Sequence, residues 1–244
     1  LNNALSQLVN MFDESLSEKI TLNKHDFTKQ LQNDLIVKAI QFLEINDNKS
    51  ALAFIESAVI NESDNVVALY FLAKIAMNLN DNKKALEASN TALLLQDAPK
   101  IQEYQHRLLY LKGSALISLG QLEQAKIYLL QAEQQAKIQK DWLYYSYSQS
   151  MLGKINQYKK QYEQAFQRFS SVLEYQELLH CPMGVVQGHL DLAELYLNQN
   201  KLQKVQQSFD AAEKLIIDKE LEQAKPLLEE VKRAISKHQL VPKS

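Results

Sequence analysis

Apolar residues recur along this chain at spacings of three and four, the period of a helix that buries one stripe. The stretch from Leu108 to Ala136, LLYLKGSALISLGQLEQAKIYLLQAEQQA, carries two such stripes that meet at Gly120. In the first, Leu109, Leu116 and Leu119 accompany small Gly113 and Ala115; in the second, Leu122, Ala125, Leu129 and Ala132 mark the buried side. The pattern predicts a helical hairpin with its turn at Gly120.

The hairpin recurs. Gly113, Ala125, Leu129 and Ala132 reappear forty residues on as Gly153, Ala165, Phe169 and Val172, and again as Ala193, Val205, Phe209 and Ala212. Forty residues back stand Ala73, Ala85, Ser89 and Ala92, and a further thirty-four back stand Ala39, Ala51, Ile55 and Ala58. One frame of small, small, large and small positions therefore runs through five hairpins. Their expected extents are about 26–60, 65–97, 100–139, 141–179 and 184–217, within a repeat region 26–218. Residues 1–25 are expected to form an N-terminal capping helix or linker around Leu5, Leu8, Val9 and Phe12, and residues 219–244 a C-terminal capping helix and tail.

Polar punctuation agrees with these bounds. Asp26 is placed to cap the first helix, and turns are expected at Asn46–Asn48, Asn80–Asn82, Gly120, Lys159–Lys160 and Asn198–Asn200, mostly residues that tolerate left-handed backbone. His180, Cys181, Pro182 and Gly184 form the strongest break, and Pro226 suits the first turn of a last helix carrying Leu221, Leu228, Val231 and Ile235.

The frame resembles the tetratricopeptide repeat, whose consensus asks for a small residue in the first helix (A) and an alanine, a bulky apolar residue and a second alanine in the second helix (B). The large residue early in helix A matches at Leu69 and Leu109 but is Gln149 and His189 elsewhere, and the aromatic later in helix A survives as Phe42 and Tyr196. The resemblance implies an all-α fold, a right-handed superhelical solenoid of about five hairpins with capping helices at both ends. It also implies a protein or peptide ligand on the concave wall of A helices. The positions that would line this wall are Tyr70, Lys74, Asn78, Arg107, Tyr110, Ser114, Tyr147, Ser150, Lys154, Tyr158, Leu190 and Glu194. Chaperone-binding members clamp a C-terminal carboxylate with Lys and Asn in the first A helix; the matching places here are Ile36 and Ile40, so that clamp is absent.

Composition narrows the picture. Five glycines and four prolines in 244 residues favour helix, and a net charge of −2 offers no basic footprint for nucleic acid. One cysteine excludes an internal disulfide, and no apolar run is long enough to span a membrane. His25, His106, His180, His189 and His238 are scattered without metal-ligand spacing, glycine-rich phosphate loops are absent, and Glu123, Glu163 and Glu194 read as solvated helix faces. The aromatic run Trp142, Tyr144, Tyr145 and Tyr147 reads either as a patch that anchors a partner or as the start of an A helix in which Trp142 packs against Ala132, Ala136 and Ile138, with at least one of Tyr144 and Tyr145 facing solvent.

The expected function is non-catalytic protein or peptide binding without cofactor or metal, as the sensory or regulatory C-terminal part of a larger bacterial transcriptional regulator. The forty-residue step resembles such regulatory arrays, and a first residue of Leu rather than Met suggests a fragment. The alternative is a free-standing scaffold or assembly factor for an envelope or cytoplasmic complex. A homodimer is compatible with the pattern, and the sequence leaves cytoplasm and periplasm equally open.

Overall fold

The structure, a computed structural model, describes residues 34–240. The helix expected around Leu5–Phe12 and the cap at Asp26 lie outside the described residues, as does the tail 241–244. The described residues form eleven α-helices and one 3-10 turn: α1 Asp34–Glu44, α2 Asn48–Asn61, α3 Val66–Asn78, α4 Asn82–Leu94, α5 Ile101–Ser118, α6 Leu122–Gln139, α7 Trp142–Tyr158, α8 Tyr162–Leu178, α9 Pro182–Asn198, α10 Leu202–Asp218, the turn Glu222–Ala224, and α11 Lys225–Leu240. The chain divides into two compact units, with the boundary between Tyr144 and Tyr145.

In the first unit α1 and α2, α3 and α4, and α5 and α6 lie side by side, and α5 packs on both α3 and α4. The frame positions carry this packing: Ala39, Ala51, Ile55, Ala58, Ala73, Ala85, Ala92, Ala125, Leu129 and Ala132 are all fully buried. Small residues let the helix axes approach, and the large residue fills the space that remains. At Gly113 the match is close enough that an added Cβ would sit 2.6 Å from Leu129 Cγ.

The second unit repeats the arrangement. Ala165, Phe169, Ala193 and Ala212 are fully buried, and a Cβ on Gly153 would sit 2.6 Å from Phe169 Cε1. Helix α9 packs on α8 and α10, and α11 covers α9 and α10 with Leu228 and Val231. Pro182 opens α9 and Pro226 is the second residue of α11, places where the missing amide costs no helical hydrogen bond.

The turns share one geometry. Asn46, Asn80, Gly120, Lys160 and Asn200 close the A helices with positive φ, and Lys140, His180 and Glu220 close B helices the same way. Each is followed by an amide bonded back to the helix: Asp47 to Phe42 at 2.9 Å, Gln121 to Leu116 at 2.8 Å, Lys201 to Tyr196 at 2.9 Å, Cys181 to Gln176 at 3.0 Å. This six-to-one bond occupies carbonyls that would otherwise end the helix unpaired. Acid or amide side chains cap α2, α3 and α4: Asp47 accepts from the Ser50 amide, Asn65 from Ala68 and Asp81 from Lys84.

Trp142 is 36% exposed and Ile138 is 63% exposed, while Ala132 and Ala136 are fully buried. One expectation is corrected here. Glu194 does not stand on a fully solvated face; it is half-buried.

Candidate functional site

Three A-helix segments of the first unit, α3, α5 and the opening turn of α7, bring a polar and aromatic cluster together. The phenols of Tyr70 and Tyr144, both buried, share a hydrogen bond of 2.6 Å. Burial raises both groups, Tyr70 to about 12 and Tyr144 well above the ordinary phenol value, so both remain protonated at neutral pH. The Tyr70 ring lies 4.9 Å from that of Tyr104, and Tyr110 meets Tyr144 edge to face at 5.4 Å.

Arg107 enters this aromatic box with its guanidinium carbon 5.4 Å from the Tyr104 ring and 5.5 Å from the Tyr144 ring. Its counter-charge is Asp141. Arg107 donates to Asp141 Oδ2 from Nε at 3.2 Å and from Nη2 at 3.0 Å, His106 Nε2 lies 2.9 Å from the same oxygen, and the Tyr144 amide donates to Oδ1 at 3.2 Å. Burial pushes the Asp141 carboxyl up, but the His106 hydrogen bond and the Arg107 charge outweigh it and hold the group below the usual carboxylate value. The other ring nitrogen of His106, Nδ1, is buried without a hydrogen-bond partner.

In the second unit the corresponding cluster joins α7 and α9. Asp191, 2% exposed, accepts from Ser150 Oγ on Oδ2 at 3.1 Å and from Gln187 Nε2 on Oδ1 at 2.9 Å, and Lys154 Nζ stands 3.4 Å from the same Oδ1. Glu194 lies nearby on α9; burial raises its carboxyl, Lys154 opposes the rise, and the charges of Asp191 and Glu230 add to it. A second buried pair, Gln176 donating to Ser146 Oγ at 2.7 Å, ties α8 to α7.

The residues expected on the A-helix wall thus differ in their surroundings and exposure. Tyr70, Arg107 and Tyr110 converge around Tyr144, and Ser150, Lys154 and Glu194 converge around Asp191. Asn78, Tyr147 and Tyr158 keep accessible surface: Asn78 donates to Asn48 at 2.9 Å, Tyr147 is half-buried, and Tyr158 is 76% exposed. Tyr70, Lys74, Ser114, Ser150 and Leu190 are buried and therefore build the wall rather than its surface. The reason is their neighbours: Tyr70 is closed in by Phe71, Tyr104 and Tyr144, and Ser150 faces Asp191.

Sequence reasoning passed over His106, Asp141 and Asp191. Their partners stand about one repeat away, His106 and Asp141 at a separation of 35 and Ser150 and Asp191 at 41. A search for complementary polar residues at that lag would have found them, because equivalent turns of neighbouring A helices adjoin.

The geometry offers contact surface and held charge. Among the described residues no group of three His, Cys, Asp or Glu side chains converges as a metal site, and no helix is long and apolar enough to cross a membrane. Cys181 is buried, and burial pushes its thiol up, away from the reactive thiolate.

Residues 66–99 and 106–137 match the family described as Tetratricopeptide repeat. These two segments carry tetratricopeptide repeats. No curated protein matches it in sequence. Among solved structures, BtubC (BKLC) from P. vanneervenii is similar with a TM-score of 0.65 at 17% identity, over 88% of this chain and 92% of that one. A thermophilic TPR protein of Thermus thermophilus gives 0.60 at 20% identity, over 85% and 98%. A tetratricopeptide repeat protein from Parabacteroides merdae gives 0.55 at 15% identity, over 95% and 92%. At these identities the likeness establishes the fold: an all-α tetratricopeptide solenoid.

Proposed function

We propose that this tetratricopeptide chain is a non-catalytic module that binds protein or peptide partners on the faces of its A helices, α3, α5, α7 and α9. The observation that supports this most directly is the pair of charge-bearing clusters on those helices, centred on Arg107 with Asp141 and on Lys154 with Asp191. The clusters supply fixed polar groups, and Tyr110, Tyr147 and Tyr158 on the same helices keep accessible ring surface, a composition that protein interfaces favour at little entropic cost. The narrower reading is a sensory part of a larger bacterial transcriptional regulator, and its support is the forty-residue step that spaces Gly113, Gly153 and Ala193.

A photo-crosslinking amino acid placed at Tyr110, Tyr147 or Tyr158 tests the first reading against placements at exposed Gln131 on α6 and Glu174 on α8. The same partner should be captured from the A-helix positions and not from the B-helix positions. Capture from Gln131 and Glu174 alone would reverse the assignment. For the narrower reading, chromatin immunoprecipitation of the protein as its native gene expresses it should enrich discrete promoter segments. Enrichment no better than a mock sample would remove it.

A further inference from the structure

A shallow hollow in the second unit lies off the clusters just described, where α8, the end of α9 and the start of α10 meet. It is lined by Tyr162, Glu163, Phe166, Tyr196, Gln199, Lys201 and Lys204 and encloses about 160 Å³. Small-ligand sites span roughly 300–1,000 Å³, so this smaller hollow admits a single side chain. Its floor is aromatic: the Phe166 and Tyr196 rings lie 6.3 Å apart at an interplanar angle of 41°, and Phe166 is 36% exposed. Lys204 Nζ stands 5.3 Å over the Tyr196 ring.

The partly exposed ring of Tyr196 sets this hairpin apart from two others. In the repeat frame Tyr196 stands three residues after Ala193, and the equivalent residues of α3 and α5, Ala76 and Leu116, are buried at 0% and 2%. Two lysines face one carboxylate across the hollow, so the rim is net positive. An apolar slot with a cationic rim is complementary to a ring that carries negative charge beside it.

We propose that this hollow is a second docking point, which receives an acidic segment of a partner protein in which a carboxylate neighbours an aromatic side chain. The partner's ring packs against Phe166 and Tyr196, and its carboxylate pairs with Lys201 and Lys204. The hollow lies off the clusters centred on Arg107 with Asp141 and Lys154 with Asp191, so it stands whether or not those bind.

The probe is the peptide acetyl-Ser-Asp-Phe-Glu-Ser-amide, titrated into the isotopically labelled chain and followed by amide chemical shifts. Saturable shifts should appear at Phe166, Tyr196, Lys201 and Lys204. Binding should weaken about tenfold or more when the acids are replaced by lysine, when the phenylalanine is replaced by alanine, or when the chain carries Lys201→Glu with Lys204→Glu. Both lysines are exposed, so an unchanged circular dichroism spectrum and melting curve will show that the double variant is folded. The proposal is overturned if no shifts appear, if they fall on α3, α5 or α7 instead, or if acidic and basic peptides bind alike. Shifts that depend on protein concentration without peptide would assign the hollow to a second copy of the chain, and would overturn it as well.

Discussion

The hydroxyls of Tyr70 and Tyr144 meet at 2.6 Å although 74 residues separate them in sequence. They join α3 to the first turn of α7 inside the first unit, and neither phenol reaches solvent freely. Tyr144→Phe strips Tyr70 of this bond while leaving its oxygen buried, so the substitution should cost about 1–3 kcal/mol in urea unfolding. Tyr70→Phe with Tyr144→Phe should cost less than the sum of the single changes, because both remove the same interaction.

Asp141 meets two basic side chains at once, and its loss takes this partner from half-buried Arg107 and buried His106. Asp141→Asn should destabilise by about 2 kcal/mol at neutral pH, between the scales of exposed and buried ion pairs. The folded carboxyl lies below its ordinary value of 3.8, so its contribution is complete above that value and is lost as pH falls through the folded one. Urea unfolding followed downward from pH 7 should therefore bring wild type and Asp141→Asn together in acid.

Glu194 has the opposite sign. Burial raises its carboxyl above the ordinary 4.5, so the folded state binds its proton more tightly than the unfolded chain. Its contribution is favourable below that value and disappears as pH rises through the folded one. Glu194→Gln should melt higher than wild type at pH 7, and the difference should shrink toward pH 4. A variant that melts lower at pH 7 would mean that the Lys154 charge outweighs burial.

The glycines separate two kinds of constraint. Gly113→Ala and Gly153→Ala force a methyl group against fully buried Leu129 and Phe169, and each should cost about 1–3 kcal/mol in thermal or urea unfolding. Nothing lies within 4 Å of a Cβ at Gly120, whose φ of 76° is the only demand. Gly120→Ala should cost about 1 kcal/mol, and Gly120→Asn less, since Asn46, Asn80 and Asn200 adopt the same backbone at equivalent turns.

The hairpins were legible because packing between A and B helices repeats a size rule, and sizes can be read from a sequence. Gly113 opposite Leu129 and Gly153 opposite Phe169 show that rule working at atomic contact. The wall was less legible. Whether a residue such as Tyr70 faces outward depends on the neighbouring A helices, and Tyr104 and Tyr144 close over it from one and two repeats away. Glu194 failed for a related reason: helical periodicity gave its face, while its burial and the charges of Asp191, Lys154 and Glu230 around it come from other turns and helices.

Hydrogen–deuterium exchange with a captured partner bound and absent tests most directly whether the A-helix faces are the binding surface. The account predicts slowed exchange concentrated in α3, α5, α7 and α9, with α4, α6 and the C-terminal half of α8 unchanged. Protection confined to α4, α6 and α8, with the A helices exchanging as they do in the free chain, would contradict it.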